Sequence, residues 1–319
     1  MKAVILSGGE GSRLRSVSGG LPKPMMPMLG TPLLVHTAAL LRENGFSEMC
    51  VTLRGQQDAI RSRLGDGSSL GIRVRYVQED KPLGTAGAVK NCLGFTGDAP
   101  FLVMSGDCLC DYDLNALMTR HGGGVTIALT ERPDPLAYGL VVTDHTGAVA
   151  GFLEKPAWEQ VVTDRISTGI YVLNPEILDF VPDDTPFDFA KELFPLLLQK
   201  GIPMTGVPMD GYWCDIGTPK AYYQCNLDVL DGRCRLPGAP GLTRRVLPCR
   251  SRARLMGLMS RTLVEFGADF SDGLTLEDEN GKVRLAPLAE ENALCFEGDP
   301  AAVGRLEALA RRLEKELGE

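Results

Sequence analysis

The chain has 319 residues, room for one large domain or two ordinary ones at about 100 to 200 residues each. Hydrophobic residues at 44% and charged residues at 23% are ordinary for a globular protein and argue against a disordered tail, a collagen-like fibre or a membrane protein. The net charge of −8 is uneven: residues 1–232 hold 19 Lys and Arg against 27 Asp and Glu, residues 233–261 hold eight Arg and no acid, and residues 262–319 hold six bases and 14 acids.

The opening run Met1 to Leu6 stops being apolar at Ser7-Gly8-Gly9-Glu10, too short for a secretory signal, so a cytoplasmic protein is expected. No apolar stretch approaches the roughly 18 residues of a membrane span, and no membrane partner is expected. Nine cysteines without a C-x-x-C pair, and His36, His121 and His145 far apart, predict neither a disulfide framework nor a structural zinc site. The Arg-rich run lacks interleaved aromatics and precedes an acidic segment that can neutralise it, so no nucleic-acid partner is expected.

Lys2 to Leu6, Met49 to Leu53, Ile72 to Val77 and Phe101 to Met104 read as buried strands. Between them, Thr31-Pro32 should cap a helix whose Leu33, Leu34, Ala38 and Leu41 share a face and which ends at Asn44-Gly45; further helices fit Gln56 to Leu64 and Thr85 to Cys92. The βαβαβ order predicts an α/β fold with a doubly wound, mostly parallel sheet, with ligands beyond the carboxyl ends of the strands. From Gly124 to Thr130, Gly139 to Thr143, Ala148 to Leu153 and Thr168 to Leu173, strands follow without intervening helices and should extend the sheet over the pocket. Asp111 and Asp113 read as caps of a helix starting near Leu114. The Pro/Gly stretch Leu236 to Gly241 marks a boundary, giving a domain over 1–232, a linker over 233–248 and a small α+β domain over 249–319. That tail should contain a hairpin turning at Asn280-Gly281, a strand at Leu294 to Phe296, and a helix after Asp299-Pro300 with Val303, Leu306, Leu309, Leu313 and Leu317 in one stripe.

The loop after the first strand, Ser7-Gly8-Gly9-Glu10-Gly11-Ser12-Arg13-Leu14, lets backbone N–H groups face a phosphate chain. A dinucleotide fingerprint needs a third glycine where Leu14 stands, and a P-loop needs a Gly-Lys-Ser/Thr that is absent; both readings are disfavoured. Arg13 offers a fixed-charge fork, and Pro22-Lys23-Pro24 holds a lysine on stiffened backbone.

These residues resemble the nucleotidyltransferases that make nucleotide sugars from sugar 1-phosphates, over residues 1 to about 231. The family's G-G-x-G-[ST]-R-L and P-K-P stand as Gly8 to Leu14 and Pro22 to Pro24. In family order follow Gln78-Glu79 with Pro82 to Gly87, Ser105-Gly106-Asp107, Tyr138-Gly139, Phe152 to Pro156, Ser167 to Tyr171, and Gly211 to Pro219. The last block is most similar to the mannose-1-phosphate guanylyltransferase branch.

The resemblance implies a Rossmann-like fold and transfer of a nucleotidyl group from a nucleoside triphosphate, GTP favoured, to a sugar 1-phosphate, mannose 1-phosphate favoured, with release of pyrophosphate. It implies Mg²⁺ on Asp107 and Asp215, since that ion takes one or two carboxylates plus substrate phosphates. Arg13 and Lys23 would neutralise the triphosphate. Leu6, Gly8, Gly9, Gly11 and Ser12 would hold the nucleotide, with Gln78 and the backbone of Gly84, Thr85 and Ala86 reading the base. Gly139, Glu154, Lys155, Ser167 and Thr168 would hold the sugar phosphate. Ser167 stands where the family usually has Asn, which leaves glucose or heptose 1-phosphate as alternative substrates, and a non-catalytic nucleotide-sugar sensor as the alternative role. Trp213 reads as core more than as a sugar platform.

The tail resembles the last domain of phosphohexomutases. Where that domain carries its phosphate loop, this chain has Ala286 to Asn292, including Glu290-Glu291, which would repel phosphate. A degenerate accessory domain for assembly, shielding or regulation is expected, compatible with a homo-oligomer.

Overall fold

In a computed structural model, the described residues are 1–9, 12–55, 58–237, 243–249, 254, 257–258, 260–262, 275–278, 281–288, 293–298 and 300–316. They divide into two compact units, Met1–Pro237 and Gly238–Glu319.

The first unit begins with strand β1 (Lys2–Leu6), helix α1 (Leu33–Glu43), β2 (Glu48–Arg54), α2 (Asp58–Leu64), β3 (Arg73–Glu79), α3 (Gly84–Lys90) and β4 (Phe101–Ser105). β1 pairs in parallel with β2 on one side and with β4 on the other, and β2 pairs in parallel with β3. The chain thus winds outward through β2 and β3, then crosses back to the far edge of β1. That reversal is a topological switch point, and it opens a crevice beyond Leu6 and Ser105, which are register partners at the strand ends.

Beyond β4 come β5 (Cys108–Cys110), α4 (Leu114–Thr119), β6 (Val125–Glu131), β7 (Gly139–Thr143), β8 (Val149–Glu154) and β9 (Arg165–Leu173). A π-turn at Phe189–Leu193 runs into α5 (Phe194–Gln199), followed by β10 (Met204–Pro208), β11 (Trp213–Asp215) and α6 (Pro219–Leu230). β9 runs antiparallel to β4, β6 and β7, extending the sheet in order β8-β7-β9-β4-β1-β2-β3, with β6 and β10 joined to it through β9. The short β11 pairs with β5, apart from the main sheet.

Strand alternation explains the layering. Ala3 and Ile5 face one side with Leu34, Ala38 and Leu41 of α1 and Ile60 and Leu64 of α2. Val4 faces the other with Ala86 and Val89 of α3 and Phe194 and Leu197. Burying each Val, Leu, Ile or Phe side chain among these contributes about 1.5–3 kcal/mol.

Two local expectations are corrected. Thr31 does not cap α1: Thr31 and Pro32 pair with Met28 and Pro27 in a two-residue ladder, and Pro32 at the cap position offers no side-chain acceptor. Asp113 caps α4 by accepting from Ala116 N–H at 2.8 Å, but Asp111 instead accepts from the N–H groups of Tyr212 (2.7 Å) and Arg235 (2.8 Å). The helix expected from Gln56 is described from Asp58, with Gln56 outside the described residues.

The second unit holds β12 (Thr243–Pro248), β13 (Thr275–Asp278), β14 (Gly281–Leu288), β15 (Ala293–Gly298) and α7 (Pro300–Glu316), with antiparallel sheet order β12-β15-β14-β13. Val303, Leu306 and Leu313 of α7 pack on Leu285, Leu294 and Phe296. Asp278 and Gly281 are register partners; residues 279–280 of the expected turn, the cap Asp299, Leu317 and residues 289–292 of the loop compared with the mutases lie outside the described residues. The expected linker 233–248 spans the division between the units. Leu236 is buried in the first unit, and Thr243–Pro248 is a strand of the second. Arg235 pairs with Glu43 and Arg233 with Asp228, acids of the first unit. The nine cysteines are all free thiols, seven of them buried. Among the described residues, no helix is long and apolar enough to cross a membrane.

Candidate active site

Two clefts open beyond the switch point. The first, about 270 Å³, is lined by Leu6, Gly8 and Gly9 of the glycine loop, Lys23, and Gly84 and Thr85 at the start of α3. The second, about 280 Å³, is lined by Gly139, Glu154, Lys155, Ser167 and Thr168 on β7 to β9 and the turns between them. They share Leu6, Thr85, Ser105, Asp107 and Asp188, so two bound groups would meet at Asp107.

Asp107 leaves the end of β4 through Gly106, whose N–H donates to Leu6 O at 2.8 Å; a Cβ on Gly106 would lie 2.8 Å from that oxygen. Asp215 arrives from β11, whose register sets it opposite Cys108, and Ile216 N–H donates to Asp107 O at 3.0 Å. Lys23 Nζ donates to Asp107 Oδ2 at 2.8 Å with only 14% of its side chain exposed. The carboxyl of Asp215 is pushed up to about 6 by its burial, then by the neighbouring Asp107, against the pull of Lys23 and Arg13. Arg13 lines the second cleft beside Asp215, where a Cβ on Gly217 would touch both side chains.

A divalent cation fits this pair. Asp215 Oδ1 is buried without a hydrogen-bond partner among the described residues, and two adjacent carboxylates supply the hard oxygen donors such an ion takes.

In the second cleft, burial raises the Glu154 carboxyl, and Lys155 Nζ stands 4.0 Å from it. Lys155 occupies the left-handed region at φ 47°, its N–H donating to Tyr138 O at 3.0 Å. Ser167 Oγ donates to the hydroxyl of the buried Tyr171 at 3.3 Å. The Thr168 hydroxyl donates to Ala128 O at 2.8 Å, a structural bond. Trp213 is buried, its Nε1 donating to Thr168 O at 3.0 Å and Tyr138 meeting its ring edge-on, so it floors the cleft while belonging to the core.

Of the expected base-reading elements, Gly84 and Thr85 line the first cleft and Gln78 does not. The Gln78 side chain is exposed and donates to Gly55 O at 3.2 Å, away from the cleft. The backbone donors of the α3 turn are already engaged: Thr85 N–H reaches Asp188 Oδ1 (3.1 Å), and Ala86 and Gly87 N–H reach Phe187 O (2.9 and 3.1 Å). Gly11 and the Ser12 side chain lie outside the described residues. The sequence reading missed Glu79, Asp188, Tyr171 and Lys191, which line the clefts. Glu79 was within reach as the neighbour of Gln78 at a strand end; Asp188 sits on the segment that packs against the α3 turn, which no local pattern announces.

Residues 2–232 match the nucleotidyl transferase family. The chain belongs to this family and is an enzyme of the nucleotidyltransferase class. It is 36% identical over 261 residues to the UTP–glucose-1-phosphate uridylyltransferase of Synechocystis sp., covering 77% of this chain and 67% of that one. It is 34% identical over 281 residues to the mannose-1-phosphate guanylyltransferase of Mycobacterium tuberculosis, covering 86% and 78%. Among solved structures, HddC from Yersinia pseudotuberculosis complexed with GMP-PN has a TM-score of 0.62 at 30% identity, covering 72% of this chain and 99% of its own.

Proposed function

We propose that the protein transfers a nucleotidyl group from a nucleoside triphosphate, GTP favoured, to a sugar 1-phosphate, mannose 1-phosphate favoured, releasing pyrophosphate. The observation that carries this reading is the meeting of two clefts at Asp107, with Asp215, Lys23 and Arg13 at the junction. The first cleft suits the triphosphate, with its glycine-lined wall and Lys23; the second suits the sugar phosphate, with Lys155 for the phosphate and Glu154 to accept from sugar hydroxyls. The relatives support the same reaction, and their differing bases and sugars leave the pair of substrates to experiment.

The attacking sugar phosphate oxygen is already anionic, so no general base is required. Positioning for in-line attack at the α-phosphorus and neutralising the departing pyrophosphate suffice. Asp107 and Asp215 would hold Mg²⁺, which when bound supplies charge neutralisation where the two phosphates approach. Lys23, freed from Asp107, and Arg13 would each meet phosphate oxygens. The second unit is read as an accessory domain resembling the phosphohexomutase tail without its phosphate loop.

The test is a matrix of five triphosphates against mannose, glucose and heptose 1-phosphates, read by pyrophosphate release. Turnover with at least one pair is expected. Asp107→Asn should keep the fold and lower kcat by about 100-fold or more, and a chelator should silence the wild type. Full activity of the variant, or in excess chelator, would refute the assignment of this pair.

A further inference from the structure

We propose that Arg132 is a positioning residue for Asp215: it clamps the outer edge of β11 and so holds that carboxylate where a divalent cation would meet it. The inference rests on Asp107 and Asp215 being the metal pair. Arg132 directly follows β6, lines neither cleft and touches no group assigned to the transfer chemistry above.

Strand β11 needs such support. It is three residues long and has one partner, β5, in a sheet of two strands, a ladder that is marginal by itself. On an antiparallel strand the backbone groups of successive residues turn to alternate edges. Tyr212 O accepts from Asp111 N–H at 3.3 Å and Ile216 N–H donates to Asp107 O at 3.0 Å, so residues 212, 214 and 216 turn theirs towards β5. The carbonyl of Trp213 therefore points to the other edge, and there Arg132 Nη2 donates to it.

The same guanidinium lies over the Trp213 ring, its Cζ 5.4 Å from the centroid. A planar fork can stack on an indole and donate to that residue's carbonyl at once, which the compact ammonium of a lysine cannot. Arg132 is itself tied down, its own N–H donating to Asp164 O at 2.9 Å just ahead of β9. Its Nε is buried with no hydrogen-bond partner among the described residues, so the contact with Trp213, and not the satisfaction of every donor, sets the orientation of the group. Trp213 and Asp215 stand two apart on an extended strand and so share a face. Asp215 Oδ1 makes no hydrogen bond among the described residues, so that oxygen is placed by the backbone that carries it. A slip of Trp213 moves the carboxylate with it.

The experiment compares Arg132→Lys and Arg132→Ala with the parent enzyme, all carrying Trp158→Phe, which leaves Trp213 as the one indole. Mn²⁺ binding to the substrate-free protein is followed by electron paramagnetic resonance, Trp213 by its fluorescence, and turnover by pyrophosphate release. Both variants should bind Mn²⁺ about 10-fold more weakly and lose about 10-fold in kcat, as partners standing behind a metal ligand do. KM for each substrate should stay within about 2-fold, since neither cleft loses a lining group. Trp213 emission should move to longer wavelength in Arg132→Ala, and millimolar guanidinium chloride should restore part of its kcat but none in Arg132→Lys, where the space is filled. Raised KM with kcat and Mn²⁺ affinity unchanged, or an Arg132→Lys enzyme equal to the parent in both, overturns the proposal and leaves nucleotidyl transfer intact. If Arg132→Ala does not fold, Arg132→Lys decides by the same measures. A parent enzyme that turns over yet binds no Mn²⁺ refutes the metal pair, and the kcat losses and guanidinium rescue then decide alone. If no pair of substrates turns over, the reaction reading fails, and the Mn²⁺ titration decides: weaker binding in both variants upholds the role of Arg132, and equal binding overturns it.

Discussion

Gly84 opens α3 at φ 69°, and a Cβ there would lie 2.7 Å from the backbone of Phe187. A left-handed turn and a backbone neighbour together require glycine. Gly84→Ala should therefore cost about 1–3 kcal/mol of stability and raise KM for the triphosphate, because the turn that walls the first cleft must shift. Denaturant titration and steady-state kinetics check the two parts. The glycine and its neighbours were legible in the sequence as a block, and so were Asp107, Asp215, Lys23, Glu154 and Lys155, which line the two clefts or their junction. Gln78 was not: adjacent residues on an extended strand point to opposite faces, and only pairing decides which of Gln78 and Glu79 turns inward. The engagement of Thr85 by Asp188, 103 residues away, is likewise a tertiary fact that no spacing encodes.

At the scale of elements, the parallel strands and α1 could be read because each buries a continuous apolar set, whereas β11, three residues long, carries no period to read. Helix α1 also carries a pH response. His36 is buried, with Nδ1 2.9 Å from Pro237 O and Nε2 3.3 Å from Met28 O, and its burial lowers its affinity for a proton below the ordinary 6.5. Neutral imidazole has one N–H, so it can donate to only one of these two carbonyls. Below pH about 6.5 the unfolded chain takes up the proton before the folded one, so stability is complete above that pH and declines as pH falls towards the folded value. The slope is at most about 1.4 kcal/mol per pH unit. Thermal melts from pH 8 to 5 should show a steeper acid loss for the wild type than for His36→Gln, and parallel curves would refute it.

The whole molecule divides after Pro237, within the Pro/Gly stretch Leu236 to Gly241. Arg235 N–H is held by Asp111, and Pro237 O by His36, so the first unit needs its residues through Pro237. A chain ending at Pro240 should fold and keep the transferase chemistry, since every proposed ligand of phosphate, metal, base and sugar precedes Pro237; one ending at Gly232 should be less stable. The full-length protein should not interconvert mannose 6-phosphate and mannose 1-phosphate even with a bisphosphate activator. Pyrophosphate release, melting temperature and a coupled mutase assay distinguish these outcomes, and measured mutase turnover would return the tail to the chemistry.

The distribution of thiols makes the two units separately observable. Seven cysteines lie in the first unit and two, Cys249 and Cys295, in the second, and Cys295 is buried like most of the others. None is tied in a disulfide, so each reacts with an alkylating reagent only as fast as its own surroundings open. Mass-spectrometric counting of alkylated peptides over time then gives two clocks in one unmodified chain. If Cys295 is labelled long before Cys50 or Cys92, the tail opens independently; if all three share one rate, the halves unfold as a single cooperative body.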